Sequence, residues 1–283
     1  MTTSDFPRPR ESRSSLAPPP LGQEQKRQPF FAQVTELIDQ LGEVALLSAR
    51  TFRALGKRPY EIRALFYQME SLGVQSTAIV ATTSIFIGMV MTIQFAFGLQ
   101  RFGGVEYIPR VIVLSFLREL GPTLTAIIVG GRIGSGMAAE VGAMNVTEQV
   151  DAVRALGADP HKKLVLPRVA AAILVLPVLS LFSIFLGTLG AMLVCSLEYG
   201  INNQYFLRSS LQIVQLSDLF SGLAKTPVFG YIIAIVGCHF GMRTTGGTEG
   251  VGRSTTRTVV VVSIAILIAD FMLTKIFVAF LPA

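Results

Sequence analysis

Charged residues are scarce in this chain, and their scarcity excludes most classes of soluble protein. Only 15% of the 283 residues are Asp, Glu, Lys or Arg, whereas a soluble domain of this size usually carries about 25%. The deficit falls in a few long apolar stretches, a pattern typical of membrane spans rather than of one large soluble core. The net charge of +6 is therefore interpreted as a signal of membrane topology and not of nucleic-acid binding.

Residues that bind metals or carry out nucleophilic catalysis are equally scarce. The chain has two cysteines, Cys195 and Cys238, and two histidines, His161 and His239. Their spacing matches no metal or redox motif, and neither GxSxG nor HExxH is present. We predict no catalytic residue, no metal site, no cofactor and no enzymatic activity, and we interpret both cysteines as packing residues.

The N-terminal part of the chain divides into two segments. Residues 1–29 are rich in Pro, Ser, Arg and Gln and contain no apolar stretch of the signal-peptide kind, which predicts a disordered cytoplasmic tail. Residues 30–70 form an interfacial region. Within it, apolar residues recur at helical spacing over 30–56, which predicts an amphipathic helix on the membrane surface. A soluble helix packed on a partner remains the alternative.

Residues 71–283 carry the apolar stretches that are long enough to cross a bilayer, for which about 20 residues suffice. We predict five spans, at about 73–99, 107–130, 164–195, 218–241 and 258–280. We expect the second helix to continue past Arg132 toward the aqueous side. The predicted fold is an all-α membrane protein with an N-terminal interfacial amphipathic helix and five transmembrane helices.

The distribution of Lys and Arg predicts the orientation of these spans. Eighteen lie up to residue 70, in 131–168 and in 242–257, against only Arg101, Arg110 and Arg208 on the opposite side. Because such residues are retained on the cytoplasmic face, we predict a cytoplasmic N-terminus and an external C-terminus. Both 131–168 and the glycine-rich segment 242–257 are then cytoplasmic loops.

The cytoplasmic segment 146–167 has the features of a docking element. We predict a short helix over 147–157, capped by Thr147 and ended by Gly157, with a partly apolar surface. The segment resembles the coupling helix of ABC importer permeases in Asp151, Ala152, Gly157 and the following Leu-Pro. A solvated helix without a partner remains the alternative. The predicted ATPase-coupling residues are Glu148, Asp151, Ala152, Arg154, Ala155 and Gly157.

The segment 247–254 has the spacing of a phosphate-binding P-loop but not its chemistry. The motif requires a Lys that reaches the phosphates and a strand before the loop. Here Arg253 stands in place of the Lys, and a predicted membrane span precedes the segment. We interpret it as a tight glycine turn at the membrane surface, so any ATPase must be another polypeptide.

Four charged residues sit well inside predicted spans: Arg118, Glu119, Lys225 and Asp270. An isolated charge at the bilayer centre costs at least about 2.5–3.5 kcal/mol, so these groups are expected to pair. We place Lys225 in the outer half of its span and Arg118 and Asp270 nearer the middle. Two interpretations stay open: a cavity that handles a lipid headgroup, and structural pairing between helices.

Several short strings follow one another in order along the chain: RELGP at 118–122, GRIG at 131–134, AE at 139–140, VTEQVDA at 146–152, PR at 167–168, GC at 237–238, TGG at 245–247, EGVG at 249–252 and TT at 255–256. With these strings the sequence resembles the MlaE/YrbE permease family over roughly residues 35–280.

This resemblance implies a homodimer in the bacterial inner membrane with a central lipid cavity, a cytoplasmic ABC ATPase at the coupling helix and an MCE-domain lipid-binding partner in the periplasm. The function we expect is a permease subunit that moves phospholipid or a related lipid between the inner membrane and that partner, and so contributes to outer-membrane lipid asymmetry. The rival is an ion-coupled secondary transporter of an amphipathic substrate, with Lys225 and Asp270 as its ion relay.

Overall fold

The computed structural model describes residues 42–53 and 61–280, and every regular element within these two ranges is helical. The first helix, α1, covers 42–53 and is part of the predicted amphipathic segment. The predictions for 1–29, 30–41 and 54–60 lie outside the described residues. The all-α prediction is confirmed for the part of the chain that the structure covers.

Five helical segments are long and apolar enough to span a membrane, as predicted. Their ends lie up to 16 residues beyond the predicted spans, the largest difference being Val146 against 130, because helix continues past the apolar stretch into polar sequence. The segments contain α2 (Ile62–Gln100), α3 and α4 (Ile108–Ser115 and Thr125–Val146, one continuous span), α6 (Leu166–Glu198), α8 (Leu216–Met242) and α9 (Gly247–Phe280).

Two short helices connect the spans at opposite ends of the bundle. Helix α5 (Gln149–Ala155) joins α4 to α6, and α7 (Asn203–Ile213) joins α6 to α8. We call these ends the α5 end and the α7 end. Helix α7 lies between the third and fourth predicted spans, where the sequence analysis predicted no helix. Its start is fixed by Asn202, whose side chain accepts a hydrogen bond of 2.8 Å from the Gln204 backbone.

The glycine-rich segment 242–257 is mostly helical, which corrects the predicted loop. The chain turns only through 243–246, and α9 begins at Gly247. Gly246 and Gly247 have φ of 86° and 67°, a left-handed conformation that glycine adopts without steric cost. The P-loop-like spacing at 247–254 therefore lies on helical backbone, which cannot wrap around a phosphate.

The interior of the bundle is formed mainly by α4, α6 and α8, whose apolar side chains make up the larger core cluster. Helix α2 packs along α6, and α9 packs along α4 and α8. The α2–α6 contact is a backbone contact, since a Cβ at Gly88 would lie 2.0 Å from the Gly187 carbonyl oxygen. Small residues of this kind allow helices in membranes to approach closely.

Candidate functional site

A π-helical segment, Phe116–Leu124, interrupts the second span between α3 and α4. It contains Pro122, which supplies no backbone N–H, so the regular α-helical ladder cannot continue through it. Arg118 and Glu119 lie in this segment, and the Arg118 carbonyl accepts a hydrogen bond of 3.3 Å from Lys225 Nζ. Wide turns of this type occur frequently at functional sites.

Lys225 on α8 is the centre of a buried polar cluster. Its side chain is 2% exposed, and Nζ lies 2.8 Å from Glu119 Oε2 and 3.2 Å from Asp270 Oδ1. Nζ also donates to Thr274 Oγ1 at 2.7 Å, and that hydroxyl donates to Glu119 Oε1 at 3.0 Å. The structure thus brings together three of the four charged residues proposed from the sequence, on the π-helical segment, α8 and α9.

The depth proposed for Asp270 needs correction, because Asp270 lies at the same level as Lys225. Helix α8 starts at the α7 end, and α9 ends there. Lys225 is nine residues from the first residue of α8, and Asp270 is ten residues from the last of α9. At 1.5 Å per residue, both positions are about 14 Å from the α7 end, so the ion pair is level across the two helices.

Arg118 has a different partner from the other three, and sequence reasoning missed it. Its Nε lies 2.7 Å from Oδ1 of Asp218, a carboxylate that is 3% exposed. The other oxygen, Oδ2, accepts from the Gln215 backbone at 2.9 Å and forms a capping box at the start of α8. The signal available in the sequence was this capping pattern, a polar residue followed three positions later by an acidic one.

Most of these side chains line a cleft with a volume of about 50 Å³, which opens toward Ser217 and Ser221 of α8. Arg118, Lys225, Glu119 and Asp218 face the cleft, while Asp270 pairs with Lys225 without lining it. The ion pairs thus join two cations to three carboxylates, whereas the sequence had indicated two of each sign. Phe277 and Val278 of α9 form an apolar part of the wall. The cleft therefore combines a charged floor with an apolar side, an arrangement suited to an amphipathic molecule.

The predicted coupling helix exists as α5, with one correction at its start. Thr147 does not cap it, since its hydroxyl donates to the Ala143 carbonyl at 2.8 Å and closes the end of α4. The chain then turns at Glu148, whose φ of 58° is left-handed. Gly157, with φ of 74°, follows the end of the helix as predicted, because a left-handed residue stops helical propagation.

Most residues of helix α5 are exposed. The proposed coupling residues are all exposed: Glu148, Asp151, Ala152, Arg154, Ala155 and Gly157. Leu156 is 86% exposed, while Val150 is fully buried and anchors the helix. Asp151 and Arg154 form a surface ion pair of 2.6 Å.

An ion pair that the sequence did not reveal connects the segment after α5 to α4. Arg168, at the start of α6, is buried and lies 3.1 Å from Glu140 of α4. Its Nη1 also donates to the Leu164 carbonyl at 2.8 Å, within the π-helical turn His161–Val165 that precedes α6. The return from α5 into the bundle is thereby fixed to the end of α4.

The fold and the cleft together define a multi-pass helical membrane protein with ionised groups held inside the bundle and a short exposed helix between two spans. Residues 65–276 match the family described as permease MlaE. The chain therefore belongs to the MlaE family of ABC transporter permeases.

Known relatives agree with this assignment. The chain is 48% identical to a probable ABC transporter permease of Synechocystis sp. over 206 residues, which are 73% of this chain and 78% of the relative. It is 42% identical to a probable ABC transporter permease of Rickettsia typhi, covering 83% and 91% of the two chains. It is 40% identical to the chloroplastic protein trigalactosyldiacylglycerol 1 of Arabidopsis thaliana, covering 83% and 67%.

Proposed function

We propose that this permease moves phospholipid, or a related lipid, through the cleft that contains Lys225, driven by ATP hydrolysis on a separate subunit. The observation that carries the proposal is the position of Lys225, fully buried between Glu119 and Asp270 and beside an apolar wall. Ionised groups inside a span are costly and mark substrate pathways. The name of the Arabidopsis relative, which is that of a glycolipid, supports a lipid substrate.

The cleft offers distinct surfaces to the two parts of a lipid. Arg118 is paired with Asp218 on one side but remains 40% exposed, so part of its guanidinium is available to a headgroup phosphate. Acyl chains would lie against Phe277 and Val278. In this proposal Arg118, Glu119, Lys225 and Asp270 shape the substrate cavity, and Asp218 orients Arg118.

A permease of an ABC transporter works with an ATPase partner, and such permeases generally have no ATPase site of their own. We assign the docking surface of that partner to α5, through Asp151, Ala152, Arg154, Ala155 and the exposed Leu156. Movement of α5 would reach the bundle through Val150, which is buried, and through the Arg168–Glu140 pair at the start of α6.

The same proposal includes the cellular setting. The chain would lie in a bacterial inner membrane with α5 in the cytoplasm and α7 in the periplasm, the orientation that the Lys and Arg distribution favours. It would act as a homodimer and exchange lipid with an MCE-domain protein at the α7 end. These partners come from the family resemblance.

An affinity purification tests the ATPase and lipid assignments together. The full-length protein is purified in detergent from its native host as wild type and as Asp151→Arg/Ala155→Arg, and bound proteins and lipids are identified by mass spectrometry. We expect wild type to retain an ATPase and phospholipid, and the double variant to lose only the ATPase, because two added cations disrupt a contact surface.

Glu106→Arg is the matched control, since Glu106 is exposed at the α7 end and its reversal leaves α5 unchanged. It should retain both ATPase and lipid. Loss of the ATPase from both variants would show a general folding defect. Retention of the ATPase by the α5 variant would place the docking surface elsewhere, and absence of phospholipid from every preparation would contradict the lipid assignment.

A further inference from the structure

A second cleft lies in the α5 half of the bundle, away from Lys225. It runs between α2, α4 and α9 and has a volume of about 490 Å³. Its walls are polar on two sides, with Gln68, Ser71 and Gln75 on α2 and Arg132 and Ser135 on α4. We call it the Arg132 groove. Nothing in the proposed function uses it.

Arg132 is the cation of this groove, and its partners in the described structure are neutral. Its Nη1 donates to Ser76 Oγ at 2.8 Å, and its Nη2 donates to Gln75 Oε1 at 2.8 Å. Arg132 belongs to none of the ion pairs among the described residues. The guanidinium is exposed to the groove, so it is oriented by two hydrogen bonds while its charge is not neutralised.

The carboxylate that lines the same groove does not compensate Arg132. Glu140 is eight residues further along α4, which is about 12 Å at 1.5 Å per residue, and it pairs with Arg168. The other lining residues are uncharged. Among the described residues, the groove therefore has an uncompensated positive charge at one end and several hydroxyl and amide groups beside it.

The height of Arg132 in the bundle indicates where this charge meets the membrane. In α2 no charged residue occurs between Glu70 and Arg101, and those thirty residues rise about 45 Å. That length matches a bilayer together with its headgroup regions, about 40–45 Å. Gln75, which contacts Arg132, is about 6 Å inside this stretch from the α5 end. Arg132 therefore lies at the level of lipid headgroups on that side.

From these observations we infer that the Arg132 groove is a second lipid site, which binds the phosphodiester of a phospholipid from the leaflet on the α5 side. Arg132 binds the phosphate oxygens, because a guanidinium binds such an anion with two parallel hydrogen bonds. Ser135 and Gln68 lie along the same groove as hydrogen-bond partners for the glycerol and headgroup.

This inference rests on the proposed function for its choice of a lipid rather than free phosphate. It adds a site in the α5 half of the bundle, whereas the Lys225 cleft lies in the α7 half. The protein would then have one headgroup position toward each side of the bilayer. Binding at the Arg132 groove is an equilibrium property that requires neither ATP nor a partner. It can be measured separately from transport.

A tryptophan reporter tests the inference, because the chain contains no Trp. Gly136 lines the groove, and a Cβ there would meet no atom within 4 Å, so Gly136→Trp gives a single fluorophore inside it. The detergent-solubilised full-length protein is titrated with brominated phosphatidylglycerol, with brominated diacylglycerol and with inorganic phosphate as a competitor. Phe86→Trp, at an exposed position of α2, reports non-specific contact with lipid.

We expect phosphatidylglycerol to quench the Gly136→Trp reporter at lower concentration than the Phe86→Trp reporter. Adding Arg132→Gln should raise the half-quenching concentration of phosphatidylglycerol about tenfold, as loss of a charge-assisted hydrogen bond predicts. Diacylglycerol, which has no phosphate, should bind the reporter with Arg132 about as weakly as phosphatidylglycerol binds the Arg132→Gln variant. Arg132→Lys, which keeps the charge, should lie between the two. Arg257→Gln, which removes an exposed arginine of α9, should have no effect.

Equal quenching with and without Arg132→Gln would overturn the inference, provided both variants melt at the same temperature. Competition by inorganic phosphate at concentrations below those of phospholipid would assign the groove to soluble phosphate. A fall in the dimer fraction of Arg132→Gln by native mass spectrometry, with no lipid quenching, would assign it to a second copy of the chain. In each case lipid transport through the Lys225 cleft would remain to be judged on its own variants.

Discussion

The two clefts of this bundle differ in whether their cations have carboxylate partners. In the α7 half, the Lys225 ammonium is enclosed by two carboxylates and a hydroxyl, and Arg118 is paired with Asp218. In the α5 half, Arg132 is held by Gln75 and Ser76, which carry no charge. The first cluster is compensated within the chain, whereas the second has room for an external anion.

Because of this difference, substitutions in the two clefts should affect different properties: the stability of the fold in one case and lipid binding in the other. Removing one member of a buried ion pair leaves an uncompensated charge, which is strongly destabilising. Removing an exposed cation that has only neutral partners costs the fold little. Variants in the α7 half should therefore act on folding and transport together, and variants in the Arg132 groove on binding alone.

The largest effect is expected for Lys225→Met, because Glu119 and Asp270 would face each other without a cation. We predict a loss of about 3–5 kcal/mol in the free energy of unfolding, measured by denaturant titration with circular dichroism in detergent. Arg132→Met is the comparison and should change it by less than about 1 kcal/mol. The triple variant Lys225→Met/Glu119→Gln/Asp270→Asn should regain most of the loss while transport stays abolished. Equal effects at Lys225 and Arg132 would remove the contrast between the two clefts.

Substitutions of glycine should also be more destabilising beside the Lys225 cleft than in the Arg132 groove. A Cβ at Gly222 would lie 1.9 Å from the Leu117 carbonyl oxygen, whereas a Cβ at Gly136 would contact nothing within 4 Å. We predict that Gly222→Ala lowers the free energy of unfolding by about 1–3 kcal/mol, since α8 must move away from the π-helical segment. Gly136→Ala should be neutral or stabilising by up to about 1 kcal/mol. Paired thermal melts of the two variants check this, and a larger loss at Gly136 would contradict it.

A smaller effect is expected when Arg118 is changed to Gln. Asp218 loses its ion pair but keeps the hydrogen bond from the Gln215 backbone. We therefore predict that the free energy of unfolding falls by about 1–2 kcal/mol. Arg118 is also the cavity cation closest to a substrate phosphate in our proposal. Lipid transport in proteoliposomes with the ATPase should therefore fall more than the melting temperature alone explains, and Asp218→Asn should reproduce the stability loss with less effect on transport.

The smallest effect on stability is expected at the α5 end. The Asp151–Arg154 pair is fully on the surface, with both side chains more than half exposed, and pairs of this kind contribute little. Arg154→Gln should leave the melting temperature of the isolated permease unchanged within error and weaken its association with the ATPase. A clear drop in melting temperature would mean that α5 is a structural element and not a docking surface.

Much of the architecture was predictable from the sequence because membrane spans are limited by a strong rule. Backbone groups in lipid must be hydrogen-bonded internally, so each long apolar stretch forms a helix. The same local reasoning placed Gly157 at the end of α5. It failed for α7, which is short and has few apolar residues over its eleven positions. It also failed for Thr147, whose hydroxyl bonds to α4 instead of α5.

The partners of the charged residues were the part that the sequence could not supply. Glu119, Lys225 and Asp270 were selected because an ion in a span requires compensation. Their pairing follows from the crossing of α8 and α9 with the π-helical segment. Asp218 was overlooked because an acidic residue in the first turn of a helix is expected as a cap, and nothing local indicates that Arg118 of another helix reaches it.

The sequence by itself determined the number of spans, the helical class, the membership of the MlaE permease family and the residue types that must be compensated inside the membrane. Those properties depend on local composition and on the energetics of each segment in lipid. The tertiary structure decided which charges meet, that Arg118 pairs with Asp218, and that Arg132 opens onto a groove with only neutral hydrogen-bond partners. These depend on contacts between residues about 50–110 positions apart, which exist only once the helices have packed.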